Sequence, residues 1–152
     1  MSALITQYVN DIDKKLNKKY KGRRRKYELN HIPPKNSLKG TPLELINPED
    51  LPVIPMTCDD HKDYISTGRK AEATKYRAEL REHLKNGRMY DALKMELSNM
   101  LQVPPPGTYQ ERVAKYLDVA VNTKILNYPK EGDCQPLLSP QQAEDLRRDL
   151  FG

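Results

Sequence analysis

Histidine, asparagine and carboxylate side chains come together at two points of this 152-residue chain. The first is Glu28-Leu29-Asn30-His31-Ile32-Pro33-Pro34; the second, some thirty residues on, is Asp59-Asp60-His61, followed by Ser66-Thr67-Gly68. Hydrolysis of a phosphodiester needs a base to take a proton from the attacking water and positive charge beside the phosphate and the leaving oxygen. A neutral imidazole, with an ordinary pKa near ~6.5, supplies the first, and a divalent ion held by oxygen or nitrogen donors supplies the second. His31 is therefore the candidate base. The amide of Asn30 and the imidazole of His61 are candidate ligands, and Asp60 stands ready to ligate directly or to hold a water. Glu28 alternates with Asn30 and so shares its strand face; a supporting partner of the site and a plain surface charge both fit it. Arg69 is a candidate phosphate contact. His83, within Arg81-Glu82-His83-Leu84, reads as a surface residue.

The elements that must hold these residues are mostly helices. Leu4, Ile5, Tyr8, Val9, Ile12 and Leu16 predict an amphipathic helix over 3–19. From Lys14 to Lys26 there are nine basic residues and no acidic one, ending in Arg23-Arg24-Arg25-Lys26. A one-signed run leading into the candidate site suits contact with phosphates along a nucleic-acid backbone, without reading sequence. Residues 26–32 predict a short strand that the prolines terminate. Residues 35–50 predict a loop pinned by Leu43, Leu45 and Ile46. Residues 51–56 predict a second strand, kept at a sheet edge by Pro52 and Pro55. Thr57 or Asp59 can cap a helix with His61 in its first turn. Two strands and a helix in this order make a ββα unit. Helices are then expected over 70–86, stopped by Asn86-Gly87, over 89–102, over 108–126 with Thr108 as cap, and from Ser139-Pro140 to Leu150. Residues 127–138 are expected to be loop.

Composition bounds the rest. The hydrophobic fraction is 37%, charged residues make up 31%, and there is no Trp and one Phe. That suits one folded domain over 1–152 with a thin core: a mainly helical α+β domain, with a helix and basic segment over 1–25, a ββα core over about 26–68 and a helical remainder over 69–152. Net charge is +5 and the isoelectric point about 9.1, which favours polyanions or an acidic protein as partner. Cys58 and Cys134 lack the spacing of a structural zinc site, and a disulfide between them is not expected. No apolar run approaches the ~20 residues of a membrane span, and no secretory signal opens the chain.

Glu28-x-Asn30-His31-x-Pro33-Pro34, Pro52-Val53-Ile54-Pro55-Met56, Asp60-His61, Ser66-Thr67-Gly68, Tyr76-Arg77, Gly87-Arg88 and Ala92-x-x-x-Glu96 together resemble the HNH/endonuclease VII-type nucleases (ββα-metal or His-Me finger) found at the C-terminal tips of bacterial polymorphic toxins. The likeness runs from about Lys26 to Leu101, or on to Tyr116 at its longest, and leaves the first 25 and at least the last 36 residues uncovered. It implies a ββα-metal finger packed on helices, with His31 as general base and Asn30 and His61 as metal ligands. The chain departs from the wider superfamily in carrying Asn30-His31 where His-His or Asp-His is frequent, and Ile65 where a further histidine often stands one turn after the helical one. Asp60, Ser66, Thr67 or water would complete the ligand set, and Ser66, Thr67, Glu28 and Arg69 would support the site or bind phosphate. An oxygen-rich set implies Mg²⁺, with Mn²⁺ or Zn²⁺ as alternatives. The function so implied is a metal-dependent endonuclease, on DNA ahead of RNA. It would act as a toxin in the cytoplasm of a target cell, delivered as the C-terminal part of a larger secreted protein and countered by an acidic immunity protein. Two readings from other classes compete. A non-catalytic basic helical module would bind nucleic acid through Lys14–Lys26 and need neither histidine. A protein-interaction adaptor would dock through the apolar stripe of 89–101.

Overall fold

The first two strands follow from short β-prone runs bounded by proline. In a computed structural model of the chain, which describes residues 28–67 and 70–152, β1 (Glu28–His31) pairs antiparallel with β2 (Val53–Met56). Glu28 lies across from Met56, Leu29 from Pro55, Asn30 from Ile54 and His31 from Val53. Proline at 52 and 55 withholds ladder donors, and this two-stranded ribbon has no central strand to need them. Between the strands run two short 3-10 turns, Lys35–Ser37 and Pro48–Asp50. Leu38, Leu43 and Leu51 are the buried pins of this connection, whereas Leu45 points to solvent and Ile46 is only partly covered. The helix α1 (Cys58–Asp63) follows β2 at once, capped by Thr57, whose Oγ1 accepts from Asp60 N at 3.2 Å.

Four longer helices complete the main layer: α2 (Ala71–Lys85), α3 (Met89–Leu101), α4 (Gln110–Ala120) and α5 (Pro140–Phe151). The chain is thus mainly helical α+β. Gly87 ends α2 at φ +74°, and a Cβ there would meet Pro129 Cβ at 3.0 Å, so the stop requires glycine. Ser139 opens α5 with a reciprocal capping box: its Oγ accepts from Gln142 N and the Gln142 side chain accepts from Ser139 N. The helix expected over 108–126 is shorter. Thr108 does not cap it; its hydroxyl donates to Pro105 O at 2.6 Å, and Tyr109 holds the cap position. Beyond Ala120 the chain forms a second hairpin, β3 (Lys124–Leu126) with β4 (Cys134–Pro136), where a loop was expected. Asn127, at φ +64°, turns it and accepts from Gly132 N. Strands of three residues are too short to show a period of two. The predicted helix over 3–19 and the basic run to Lys26 lie outside the described residues. Cys58 and Cys134 are free thiols, and among the described residues no helix is long and apolar enough to cross a membrane.

Buried side chains from Ile32 to Leu146 form one contiguous core. On α3, Ala92, Leu93, Leu97 and Met100 are apolar and buried, and Glu96 sits among them with no exposure at all. Its Oε2 accepts from Tyr64 Oη at 3.3 Å, and its Oε1 has no hydrogen-bond partner. Burial pushes the Glu96 carboxyl up to about 8, against the pull of the Tyr64 and Tyr76 hydroxyls. The folded chain therefore keeps a proton that the unfolded chain has lost above its ordinary value of 4.5. Stability from this group is complete below that value and is lost progressively as the pH rises to about 8. Urea unfolding of the wild type and Glu96→Gln at pH 5, 6.5 and 8 reads this directly. The variant should gain on the wild type as the pH rises, and a difference that stays constant with pH would refute the neutral acid.

Candidate nucleolytic site

The ribbon, the turn after the prolines and the start of α1 meet at a cleft of about 340 Å³. Asn30, His31, His61, Ser66 and Thr67 line it, as the sequence predicted, together with Lys35, Asn36 and Arg77, which sequence reasoning did not place there. Asn30 is 3% exposed, and its Nδ2 has no hydrogen-bond partner. A buried polar group left unpaired costs about 1–3 kcal/mol, and an amide NH₂ group is satisfied by an acceptor such as a water or a phosphate oxygen. His31 stands next to it at the end of β1.

His61 reaches the cleft from the fourth position of α1. Its Nδ1 lies 3.0 Å from Glu28 Oε2. With Nδ1–H donating to that carboxylate, Nε2 keeps its lone pair for a ligand, the arrangement in which a carboxylate orients a metal-binding imidazole. Glu28 thus meets the cleft through its contact with His61 and does not itself line it.

Asp60 is not brought to this cleft. Its Oδ2 accepts from Tyr109 Oη at 2.6 Å, and it lines a separate hollow with Asp63, Tyr64 and Asn99. Burial, and next the Asp60 carboxylate, push the Tyr109 hydroxyl well above its ordinary value, so it remains a donor. The pair ties α1 to the residue that opens α4. Arg69 and Arg23-Arg24-Arg25-Lys26 lie outside the described residues. His83 lies half-buried away from the cleft, accepting from Arg88 Nε at 3.1 Å.

Compared with family models, curated proteins and solved structures, the chain matches none. The donors themselves have to carry the functional reading. Among the described residues no three His, Cys, Asp or Glu side chains cluster tightly enough to hold a metal on their own. The lining side chains include no carboxylate and two cations, Lys35 and Arg77. Asn30 and His61 therefore fit a metal only in an open site, where water and substrate oxygens fill the remaining positions. The Tyr109 strut is testable apart from any activity. Tyr109→Phe leaves Asp60 without its donor and should lower stability by about 1–3 kcal/mol in urea unfolding; an unchanged midpoint would mean the bond holds nothing in place.

Proposed function

We propose that the protein is a metal-dependent endonuclease that hydrolyses phosphodiester bonds, on DNA ahead of RNA. The observation that carries the reading is the convergence of Asn30, His31 and His61 on one cleft free of carboxylates, with Glu28 orienting the His61 imidazole from behind. In this scheme His31 takes the proton from the attacking water. Asn30 and His61 would hold the ion, with Glu28 fixing the His61 ring. Ser66 and Thr67 offer hydroxyls to the substrate from the same wall. The ion, when bound, would offset negative charge on the phosphate and the leaving oxygen. With Asp60 committed to Tyr109, the donor set is one amide oxygen and one imidazole nitrogen. That moves the expected ion from Mg²⁺ towards Mn²⁺ or Zn²⁺. Arg23, Arg24, Arg25 and Lys26, with Arg69, would hold the nucleic-acid backbone.

The biological setting we propose is that of a toxin domain acting in the cytoplasm of a target cell, as the C-terminal part of a larger delivered protein. The motif likeness and the net charge of +5 support this. The same charge suits an acidic immunity protein, since opposite charge speeds capture.

Plasmid incubated with purified protein and Mn²⁺, Zn²⁺, Mg²⁺ or EDTA tests the chemistry. Nicking is expected with a divalent ion, is abolished by EDTA, and is lost in His31→Ala while DNA binding persists. Absence of cleavage of DNA and RNA by folded protein with every ion would overturn the reading and leave a nucleic-acid-binding module. Glu28→Gln should weaken metal affinity, read by the activating ion concentration, about 10–100-fold.

A further inference from the structure

The cleft contains a cation that the proposed chemistry does not use. Arg77, on α2, is half-buried, and its Nη1 donates to the carbonyl of Ser66 at 2.7 Å. A guanidinium is a rigid planar fork of five donors, so holding one Nη sets the direction of the others. The acceptor is itself anchored. Ser66 is 5% exposed; Thr67 N donates to Tyr64 O at 2.9 Å, and Tyr64 Oη donates to Glu96 O at 2.9 Å. The core thus aims this side chain. Among the described residues Arg77 has no carboxylate partner, and no carboxylate lines the cleft it enters. A half-buried cation held by a neutral carbonyl, beside Lys35 and two histidines, is arranged to receive an anion from outside the fold.

We propose that Arg77 is the phosphate-binding residue of the cleft, taking the non-bridging oxygens of the substrate phosphodiester with a forked pair of donors, and that Lys35 adds a second charge. The proposal rests on the nuclease reading for its consequence, since it gives Arg77 the task of positioning the phosphate before His31. Phosphate binding itself is measurable without catalysis. Among the described residues the side chains of Tyr64, Tyr76 and Tyr109 are buried and no Tyr or Phe side chain lines this cleft, so the contact these residues offer is to the backbone phosphate.

The full chain in EDTA is titrated calorimetrically with thymidine 3′,5′-bisphosphate, for the wild type, Arg77→Gln, Arg77→Lys and His83→Ala. Glutamine keeps a donor for Ser66 O, which protects the strut while removing the charge. Arg77→Gln should weaken binding about tenfold or more, and Arg77→Lys should recover only part of it. His83→Ala, away from the cleft, should bind as the wild type does. In cleavage assays Arg77→Gln should raise KM and reduce the salt slope of binding by about one. Wild-type affinity in folded Arg77→Gln, or no bisphosphate binding by the wild type, overturns the proposal. If Arg77→Gln does not fold, Arg77→Lys decides alone: binding equal to the wild type refutes the forked contact. Arg77-dependent bisphosphate binding without cleavage by the wild type would retain this proposal and remove the nuclease one.

Discussion

Tyr116 reaches 84 residues back along the chain to donate its hydroxyl to the carbonyl of Ile32, at 2.9 Å in a fully buried setting. The site depends on this bond because its framework is weak by itself. Two four-residue strands make a ribbon that is marginal in water without something to pack on. The bond fixes the Ile32–Pro33 peptide, one residue beyond His31, against α4. Arg112, one turn earlier on α4, donates to Pro55 O on the second strand at 2.8 Å and lies over the ring of Tyr109. Tyr109 in turn holds Asp60 at the start of α1. Residues 109, 112 and 116 are spaced by three and four, so one helical face grips β1, β2 and α1 together.

Among the described residues, three carboxylates of the surrounding elements are absent from the cleft lining. Glu28 stands behind His61, Asp60 faces Tyr109, and Glu96 is neutral in the core. What remains on the walls is imidazole, amide, hydroxyl and two cations. A like-charged carboxylate beside a phosphate would be repelled by about 1 kcal/mol at 4 Å in water and by several times that where water is excluded. Withdrawing the acids therefore does as much for anion binding as supplying the cations, and a concave wall of one sign concentrates the field.

Local rules made much of this legible. The ββα order, the Thr57 and Ser139 caps and the Asn86-Gly87 stop each rest on side chains acting within four residues. The shared face of Glu28 and Asn30 follows from the period of two. Asp60 lies away from the cleft for the opposite reason: its position beside His61 is local, but its partner is Tyr109, and no pattern within α1 announces a hydroxyl arriving from another element. Arg77 and Lys35 escaped in the same way, since only the folded path of α2 and of the turn after Pro34 brings them to the cleft. The hairpin of 124–136 was hidden because three-residue strands show no periodicity.

Glu96 is the position where the sequence breaks its own pattern and says so. Its neighbours at one, three and four residues on α3 are Leu93, Ala92, Leu97 and Met100, all buried and apolar, so a leucine would continue the stripe and bury more apolar surface. A leucine would also leave the Tyr64 hydroxyl only the backbone carbonyl of residue 96 as acceptor. With the acid there, the one Tyr64 hydroxyl proton is shared between the Glu96 carbonyl at 2.9 Å and Oε2 at 3.3 Å, which narrows the direction of the Tyr64 hydroxyl and of the turn after α1. That turn carries Ser66, whose carbonyl aims Arg77. The least apolar position of the core and the best-oriented cation of the cleft are therefore two ends of one path, Glu96 to Tyr64 to Ser66 to Arg77. The stability that the buried acid gives up on that path is exchanged for geometry at the site.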